Sequence, residues 1–84
     1  MIKMYVRDED RNPIGAVVAL DRNRIGWSCK NPKDKWDKKK ALKIAIGRAL
    51  KVGLDHAYNV LHNIPVHMID PFEEMEKRAE RYFK

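Results

Sequence analysis

The part of this sequence best suited to chemistry is a lysine-rich stretch that contains a tryptophan. Trp36 lies among basic residues that begin in a loop and continue into the helix expected after it. These basic residues are Lys30, Lys33, Lys35, Lys38, Lys39, Lys40 and Lys43. Ammonium groups attract phosphate, and an exposed indole can stack on a nucleobase. A basic stripe that includes an aromatic residue is the expected footprint of a nucleic-acid binder.

The loop before this helix adds a second attraction for anions. Asn31 and Pro32 lie in the loop, and Asp34 is the expected N-cap of a helix that runs from Lys35 to Val52. Free backbone N–H groups and the helix dipole favour an anion at such an N-terminus. We therefore predict a binding site for nucleic acid or a nucleotide. Its predicted residues are Asn31, Lys33, Lys35, Trp36, Lys39, Lys40 and Lys43.

The positive charge of the chain is concentrated in this region. The formal net charge is +6, whereas residues 22–51 alone hold eleven Lys/Arg and two Asp. Because lysine lacks the bidentate geometry of arginine, recognition would be led by charge and would have little base specificity. Two alternatives remain open. In the first, the same basic face or an aromatic patch binds an acidic host protein, and this protein acts as an inhibitor or an anti-defence protein. In the second, the lysines serve only to keep the protein soluble.

The sequence argues against an enzyme, a metal site and a bound cofactor. Cys29 could act as a nucleophile only with one of the three histidines, His56, His62 or His67, as its base. A buried or half-buried strand cysteine is the favoured interpretation. The cysteine and histidines lack zinc-site spacing, and neither glycine-rich phosphate-binding motif is present. The predicted function is therefore binding without catalysis.

Three segments have the patterns of β-strands. Apolar residues alternate with polar ones from Ile2 to Val6, and again at Ile25, Trp27 and Cys29, where Trp27 is expected in the core. The segment 14–20 between them is apolar throughout, which is typical of a central strand covered on both faces. Short polar links favour an antiparallel meander.

The two faces of the central strand must both be covered. Either helices flank the sheet on both sides, or one face meets a second copy of the chain, so a homodimer is possible. An alternative surface for self-association is formed by Phe72, Met75, Tyr82 and Phe83.

Helical spacing defines the remaining elements. The long helix has an apolar face for the sheet and an outer face that carries Trp36 and lysines, and it is expected to end at Gly53. A short helix is predicted within 57–64, and a last helix is predicted with Asp70 as its cap and Pro71 as its first residue. The predicted fold is α+β: a three-stranded antiparallel meander packed by one long helix, with a C-terminal helix completing the core of a single domain over residues 1–84.

The sequence also indicates a location. The N-terminal residues lack the apolar region of a secretion signal, and no apolar run approaches the roughly 20 residues that span a membrane. One cysteine permits no intramolecular disulfide. We expect a cytoplasmic protein with no membrane partner.

Two stretches carry a resemblance to a known group of proteins. The first reads Gly-Trp-Ser-Cys-x-Asn-Pro-Lys-Asp-x-Trp-x-Lys-Lys over 26–39, followed by Ile-Gly-Arg-Ala at 46–49, and the second reads Arg-Ala-x-Arg-Tyr-Phe-Lys over 78–84. This pattern resembles small cytoplasmic proteins of tailed bacteriophages. The resemblance implies a phage or prophage product that acts in the bacterial cytoplasm by binding DNA, a host enzyme, or a defence component or its nucleotide signal. It implies no catalytic residue.

Overall fold

Three strands and two helices form the fold, as a computed structural model that describes residues 1–51 and 64–83 shows. The elements are β1 (Ile2–Arg7), β2 (Pro13–Ala19), β3 (Ile25–Cys29), α1 (Lys38–Leu50) and α2 (Val66–Tyr82). The strands form one sheet in the order β1-β2-β3, and both pairs are antiparallel. The predicted α+β fold, a meander packed by a helix with a C-terminal helix completing it, is confirmed.

Aspartates shape both links of the meander. The Asp8 carboxylate accepts the backbone N–H of Asn12, and Arg11 between them adopts a left-handed backbone with φ 66°. In the second link the Asp21 carboxylate accepts the backbone N–H and the side-chain Nε–H of Arg24. These local hydrogen bonds replace strand pairing with tight turns, so successive strands pair with each other.

One face of the sheet, called here the α2 face, packs against α2 through large apolar side chains. Val17, Ile25 and Trp27 point toward this helix, and Trp27 is buried as predicted. The helix contributes Met68, Phe72, Met75 and Ala79. Burial of side chains of this size is the main source of stability in a small domain. Because Phe72 and Met75 lie in this core, they cannot form the self-association surface predicted for them.

The opposite face, called here the α1 face, packs against α1 through small residues. Ala16 and Gly26 lie on this face, and the helix presents Ala41, Ala45 and Ala49 to it. A Cβ added at Gly26 would overlap the backbone of α1 at Ala45, so strand and helix backbones nearly touch. The two helices thus cover both faces of β2, and its apolar character does not require a second copy.

The predicted start of the long helix was wrong by three residues. Asp34 donates its backbone N–H to the carbonyl oxygen of Asn31, and this turn delays the helix. Asp37 is the N-cap instead: its backbone is extended, and its carboxylate accepts the backbone N–H of Lys40. Trp36 therefore precedes the helix and does not lie on its outer face.

The predicted start of the last helix was also wrong. The helix begins at Val66 after Pro65, so Asp70 is not its cap and Pro71 lies inside it. The extra turn places Met68, which is fully buried, against the sheet. Burial of that side chain outweighs the hydrogen bond that Pro71 cannot donate. The long helix also ends earlier than predicted, at Leu50 with Lys51 as its C-cap, and not at Val52 before Gly53. The short helix predicted within 57–64 lies, apart from Ile64, outside the described residues.

Candidate functional site

The β3–α1 loop, residues Lys30–Asp37, is held in shape by its own hydrogen bonds. The Asn31 side-chain oxygen accepts the backbone N–H of Lys33 at 3.1 Å. The Lys30 ammonium donates to the carbonyl oxygens of Asp34 at 2.8 Å and of Asn31 at 3.2 Å. Lys30 therefore supports the loop from within, and the Asn31 oxygen is already engaged, although its amide nitrogen is still a potential donor.

A cavity of about 170 Å³ lies between this loop, the end of β3 and the first turns of α1. It brings together four of the predicted binding residues: Asn31, Lys35, Trp36 and Lys40. Its inner wall includes Ser28 of β3, and Ala41 and Ile44 of α1 complete it. Asp34 and Asp37 also line it, so the cavity combines an apolar wall with side chains of both charges.

A shallow groove adjoins the cavity on the outer side of the loop. Lys35, Trp36 and Lys40 line both the groove and the cavity, while Lys38 and Lys39 line the groove alone. The two other predicted residues, Lys33 and Lys43, are exposed and line neither. The structure therefore places five of the seven predicted residues in one continuous site and leaves these two lysines outside it.

Trp36 is anchored against the sheet. Its ring meets the Tyr5 ring of β1 edge to face, with centroids 6.3 Å apart and an angle of 87°. The Lys38 ammonium lies 5.2 Å from the centroid of the same Tyr5 ring. An edge-to-face pair of this kind contributes about 0.5–1.5 kcal/mol and so favours this position of the indole. The half-buried indole is thus held at the junction of cavity and groove, among the lysines.

Most of the lysines around the site keep their positive charge uncompensated by direct contact. The ion pairs among the described residues join Asp21 to Arg24 and Glu74 to Arg78, and neither involves the loop or the lysines of α1. However, the Asp37 carboxylate already accepts one backbone N–H of the helix N-terminus. The helix end is therefore a weaker anion site than the sequence predicted, and the lysine side chains are the main source of positive potential.

Two buried hydroxyl groups have no hydrogen-bond partner within the described part of the chain, those of Tyr5 and Ser28. The strand register places both in one row across the α1 face, with Ala16 between them. Leaving a buried hydroxyl unpaired costs about 1–3 kcal/mol. Ser28 is 3% exposed and is one of the residues that line the cavity, although its hydroxyl oxygen itself has almost no accessible surface. Sequence reasoning missed both groups, and the polar side chain of Ser28 between two core residues was the one available signal.

Cys29 is the half-buried strand cysteine that the sequence favoured, and it contacts a histidine. Its Sγ lies 3.2 Å from Nε2 of His67, in the first turn of α2. Burial raises the pKa of the Cys29 thiol, although the charges of Arg48 and Lys30 act in the opposite direction. A raised pKa disfavours the thiolate, which is the nucleophilic form of cysteine. His56 and His62 lie outside the described residues.

Arg48 is a basic residue of α1 whose side chain contacts β3. Its guanidinium donates to the carbonyl oxygen of Trp27 at 2.9 Å and stacks over the Trp27 ring, 4.1 Å from the centroid. Burial lowers the pKa of Arg48, the direction expected for a cation taken out of water. Arg48 therefore binds one backbone carbonyl of β3, the edge strand of the sheet, and it does not line the cavity.

Comparison with models of protein families, with curated proteins and with solved structures finds no match to this chain. The described residues contain no cluster of three or more His, Cys, Asp or Glu side chains arranged to hold a metal ion. Among them there is also no helix long and apolar enough to span a membrane. The cavity, the groove and the lysines around them are therefore the features of this protein that indicate a function.

Proposed function

We propose that this protein is a non-enzymatic binder of nucleic acid, acting through the cavity, the groove and the lysines around them. The observation that carries the proposal is that Lys35, Trp36 and Lys40 line two adjoining concave surfaces. Asp34 and Asp37 line the same surfaces but form no ion pair with these lysines. In the setting that the sequence resemblance implies, the partner would be nucleic acid in the cytoplasm of a bacterial host.

Binding would be led by phosphate contacts. Lys35, Lys39 and Lys40 would each approach one phosphate, and Lys33 and Lys43 would extend the positive surface on either side. Each ammonium that replaces a condensed counterion makes binding weaker as salt rises. Trp36 would add base stacking, which favours nucleic acid over other polyanions but tolerates any sequence. The affinity is expected to depend strongly on the charge of the nucleic acid and only weakly on its base sequence.

The test is binding of fluorescent DNA and RNA oligonucleotides over a series of salt concentrations. The double variant Lys39→Gln with Lys40→Gln is expected to lower the slope of log K against log salt by about one for each lysine removed. The matched control removes two positive charges from α2, Lys77→Gln with Arg81→Gln, and should leave the slope nearly unchanged. Absence of binding at low salt, or equal losses in both double variants, would contradict the proposal.

Contact with an acidic host protein is the alternative prediction from the same basic surface. It would be supported by one stoichiometric partner captured from bacterial lysate, provided that nuclease treatment does not release it. The homodimer also stays a prediction, which sedimentation of the purified protein would test.

A further inference from the structure

We infer that the outer edge of β1 binds a second protein, which adds an extended acidic segment to the sheet as an antiparallel fourth strand. The inference goes beyond the proposed function, because it concerns an edge of the sheet and a protein partner. The juxtaposition that carries it is a strand edge with outward-facing backbone groups beside the ammonium groups of Lys3 and Lys38.

The hydrogen bonds of β2, the central strand, decide which way the backbone groups of β1 face. At the two ends of the β2–β3 ladder, Lys30 donates its N–H to the carbonyl oxygen of Ile14, and Leu20 donates its N–H to that of Arg24. The backbone groups of successive residues in a strand point to alternate sides. The even-numbered residues of β2 therefore bind β3, and its odd-numbered residues bind β1.

The register then leaves two residues of β1 with their backbone groups facing outward. The odd-numbered residues of β2 are paired with Ile2, Met4 and Val6, so the N–H and C=O groups of these three face β2. The N–H and C=O groups of Lys3 and Tyr5 face away from the sheet, and no hydrogen bond within the described part of the chain uses them. Unpaired groups of this kind are a template for another strand.

The opposite edge of the sheet, on β3, is less open. The outward-facing carbonyl oxygen of Trp27 already accepts a hydrogen bond from the Arg48 guanidinium at 2.9 Å. Cys29, at the end of the same strand, contacts His67 of α2. A strand that added to β3 would have to displace Arg48, whereas a strand that added to β1 would break no hydrogen bond between described residues.

The α1 face at the edge of β1 is positively charged. Lys3 is exposed and lies on the same face as Tyr5, and the Lys38 ammonium is 5.2 Å from the centroid of the Tyr5 ring. Neither lysine is in an ion pair with another described residue. The acidic residues 8–10 follow in the turn after the strand. Acidic residues of a partner therefore belong opposite Lys3 and Tyr5, and not beside that turn.

The α2 face at the same edge is apolar. Ile2 and Met4 are only partly buried there and pack against the core. Successive side chains of a strand point to opposite faces. A partner with acidic residues on the α1 face therefore places the residues between them beside Ile2 and Met4. The segment that fits both faces alternates acidic and apolar residues.

The charges also decide between a foreign strand and a second copy of this chain. Paired through β1, two copies would bring Lys3 and Lys38 of both chains to one edge, and like charges on paired strands repel each other. Lysines at a strand edge are a common protection against such self-pairing. A strand with carboxylates at the same positions replaces this repulsion with attraction, so the edge selects an acidic partner.

The first experiment measures the binding of fluorescent peptides at low salt by anisotropy. One peptide alternates glutamate and valine, a second alternates lysine and valine, and a third holds the residues of the first in two separate blocks. The first peptide is expected to bind about 2- to 25-fold more tightly than the basic one, because each of two cross-strand charge pairs contributes about 1.4- to 5-fold. It should also bind more tightly than the block peptide, which cannot match both faces. No binding of the first peptide, or equal binding of either control, would overturn the inference.

The second experiment tests the backbone hydrogen bonds. In an antiparallel pair, the partner residues opposite Lys3 and Tyr5 exchange N–H and C=O bonds with them and share their face, so these residues are the glutamates. N-methylation of the glutamates removes the donors and is expected to weaken binding at least about fourfold, since each lost hydrogen bond contributes about 2- to 12-fold. N-methylation of the valines, whose N–H groups point away from β1, is the matched control. Equal losses, or a larger loss for the N-methylvaline peptide, would contradict the antiparallel fourth strand.

The third experiment changes the protein. Lys3→Gln removes the charge and is expected to weaken binding of the acidic peptide about 1.4- to 5-fold. Lys3→Pro also removes the outward N–H, which the sheet does not use, so the fold should persist while binding falls by a further factor of about 2 to 12. Lys77→Gln, at an exposed position of α2, is the control and should bind as the unmodified protein does. Equal affinities of the folded proline and glutamine variants would overturn the inference. If circular dichroism shows that the proline variant does not fold, the N-methylated peptides decide.

Discussion

The two faces of the sheet are covered by helices of opposite character. On the α2 face, Met68, Phe72 and Met75 are buried against strand side chains of similar bulk. On the α1 face, the helix offers alanines, and Gly26 brings the two backbones close together. Large side chains interlock and exclude solvent over a wide area. Small side chains let a helix lie close to the sheet, but they leave gaps where the helix and the sheet move apart.

The two faces of the sheet also differ in whether their buried polar side chains have hydrogen-bond partners. The α2 face holds no buried side-chain polar atom that lacks a partner within the described residues, while the α1 face holds two, on Tyr5 and Ser28. The α1 face also carries the cavity and the lysines around it. A small domain has little stability to spare, so unpaired hydroxyls persist where they serve binding or where no alternative packing exists. The α1 face is therefore the side of the sheet on which the proposed binding site lies.

The largest expected effect belongs to the α2 face. Met75→Ala should lower the free energy of unfolding by about 2–5 kcal/mol, because it opens a cavity in the packed core. Urea titration followed by circular dichroism measures this change. Met75→Leu keeps the volume and should cost less than about 1.5 kcal/mol. A small loss in the alanine variant would show that the α2 face is not the stabilising layer.

The next effect tests the close approach on the α1 face. Gly26→Ala should cost about 1–3 kcal/mol, because the new Cβ overlaps backbone atoms of α1 at Ala45 and Ala49, which cannot rotate away. Gly47→Ala is the matched control, since a Cβ at Gly47 meets no atom within 4 Å. That control should gain about 0.5–1 kcal/mol from helix propensity. Similar unfolding midpoints for the two variants would contradict the described packing.

A moderate effect is expected at the free edge of β3. Arg48→Met removes the hydrogen bond to the Trp27 carbonyl and the stacking over its ring, and should lower stability by about 1–2 kcal/mol. Lys43→Met on the same helix is the control and should change stability by less than about 0.5 kcal/mol. Thermal unfolding at matched salt compares them. An Arg48 variant as stable as the control would mean that these contacts are replaced by water without loss.

The smallest effect has the opposite sign. Tyr5→Phe should raise the free energy of unfolding by about 1 kcal/mol, because it deletes a buried hydroxyl without a partner and keeps the ring that contacts Trp36. Calorimetry can resolve a shift of this size. A loss of stability would show that the hydroxyl forms a hydrogen bond in solution, and the contrast between the two faces would weaken.

The strands could be predicted from the sequence, and the helix starts could not. Apolar alternation survives in a strand whatever packs on it, which is why β1 and β3 were found. Asp34 and Asp37 are both suitable caps, and the turn closed by Asn31 decides between them. Burial of Met68 overrides the local signal at Asp70, since a cap contributes less than a fully buried side chain.

The candidate site could be predicted only in part, for a related reason. Lysines and Trp36 are visible as residue types, so their concentration near one helix was predictable. The row that joins Tyr5, Ala16 and Ser28 depends on the register of three strands, which no local pattern encodes. The cavity likewise follows from where α1 begins, and that start was misplaced.

The glycine at position 26 has a mechanical consequence for recognition. Because main-chain atoms of strand and helix are in contact there, the distance between α1 and β3 is set by backbone atoms and not by adjustable side chains. Side-chain rotation alone therefore cannot bring α1 closer to β3 at this point. A ligand bound beside such a fixed contact would lose little affinity to reorganisation of the protein.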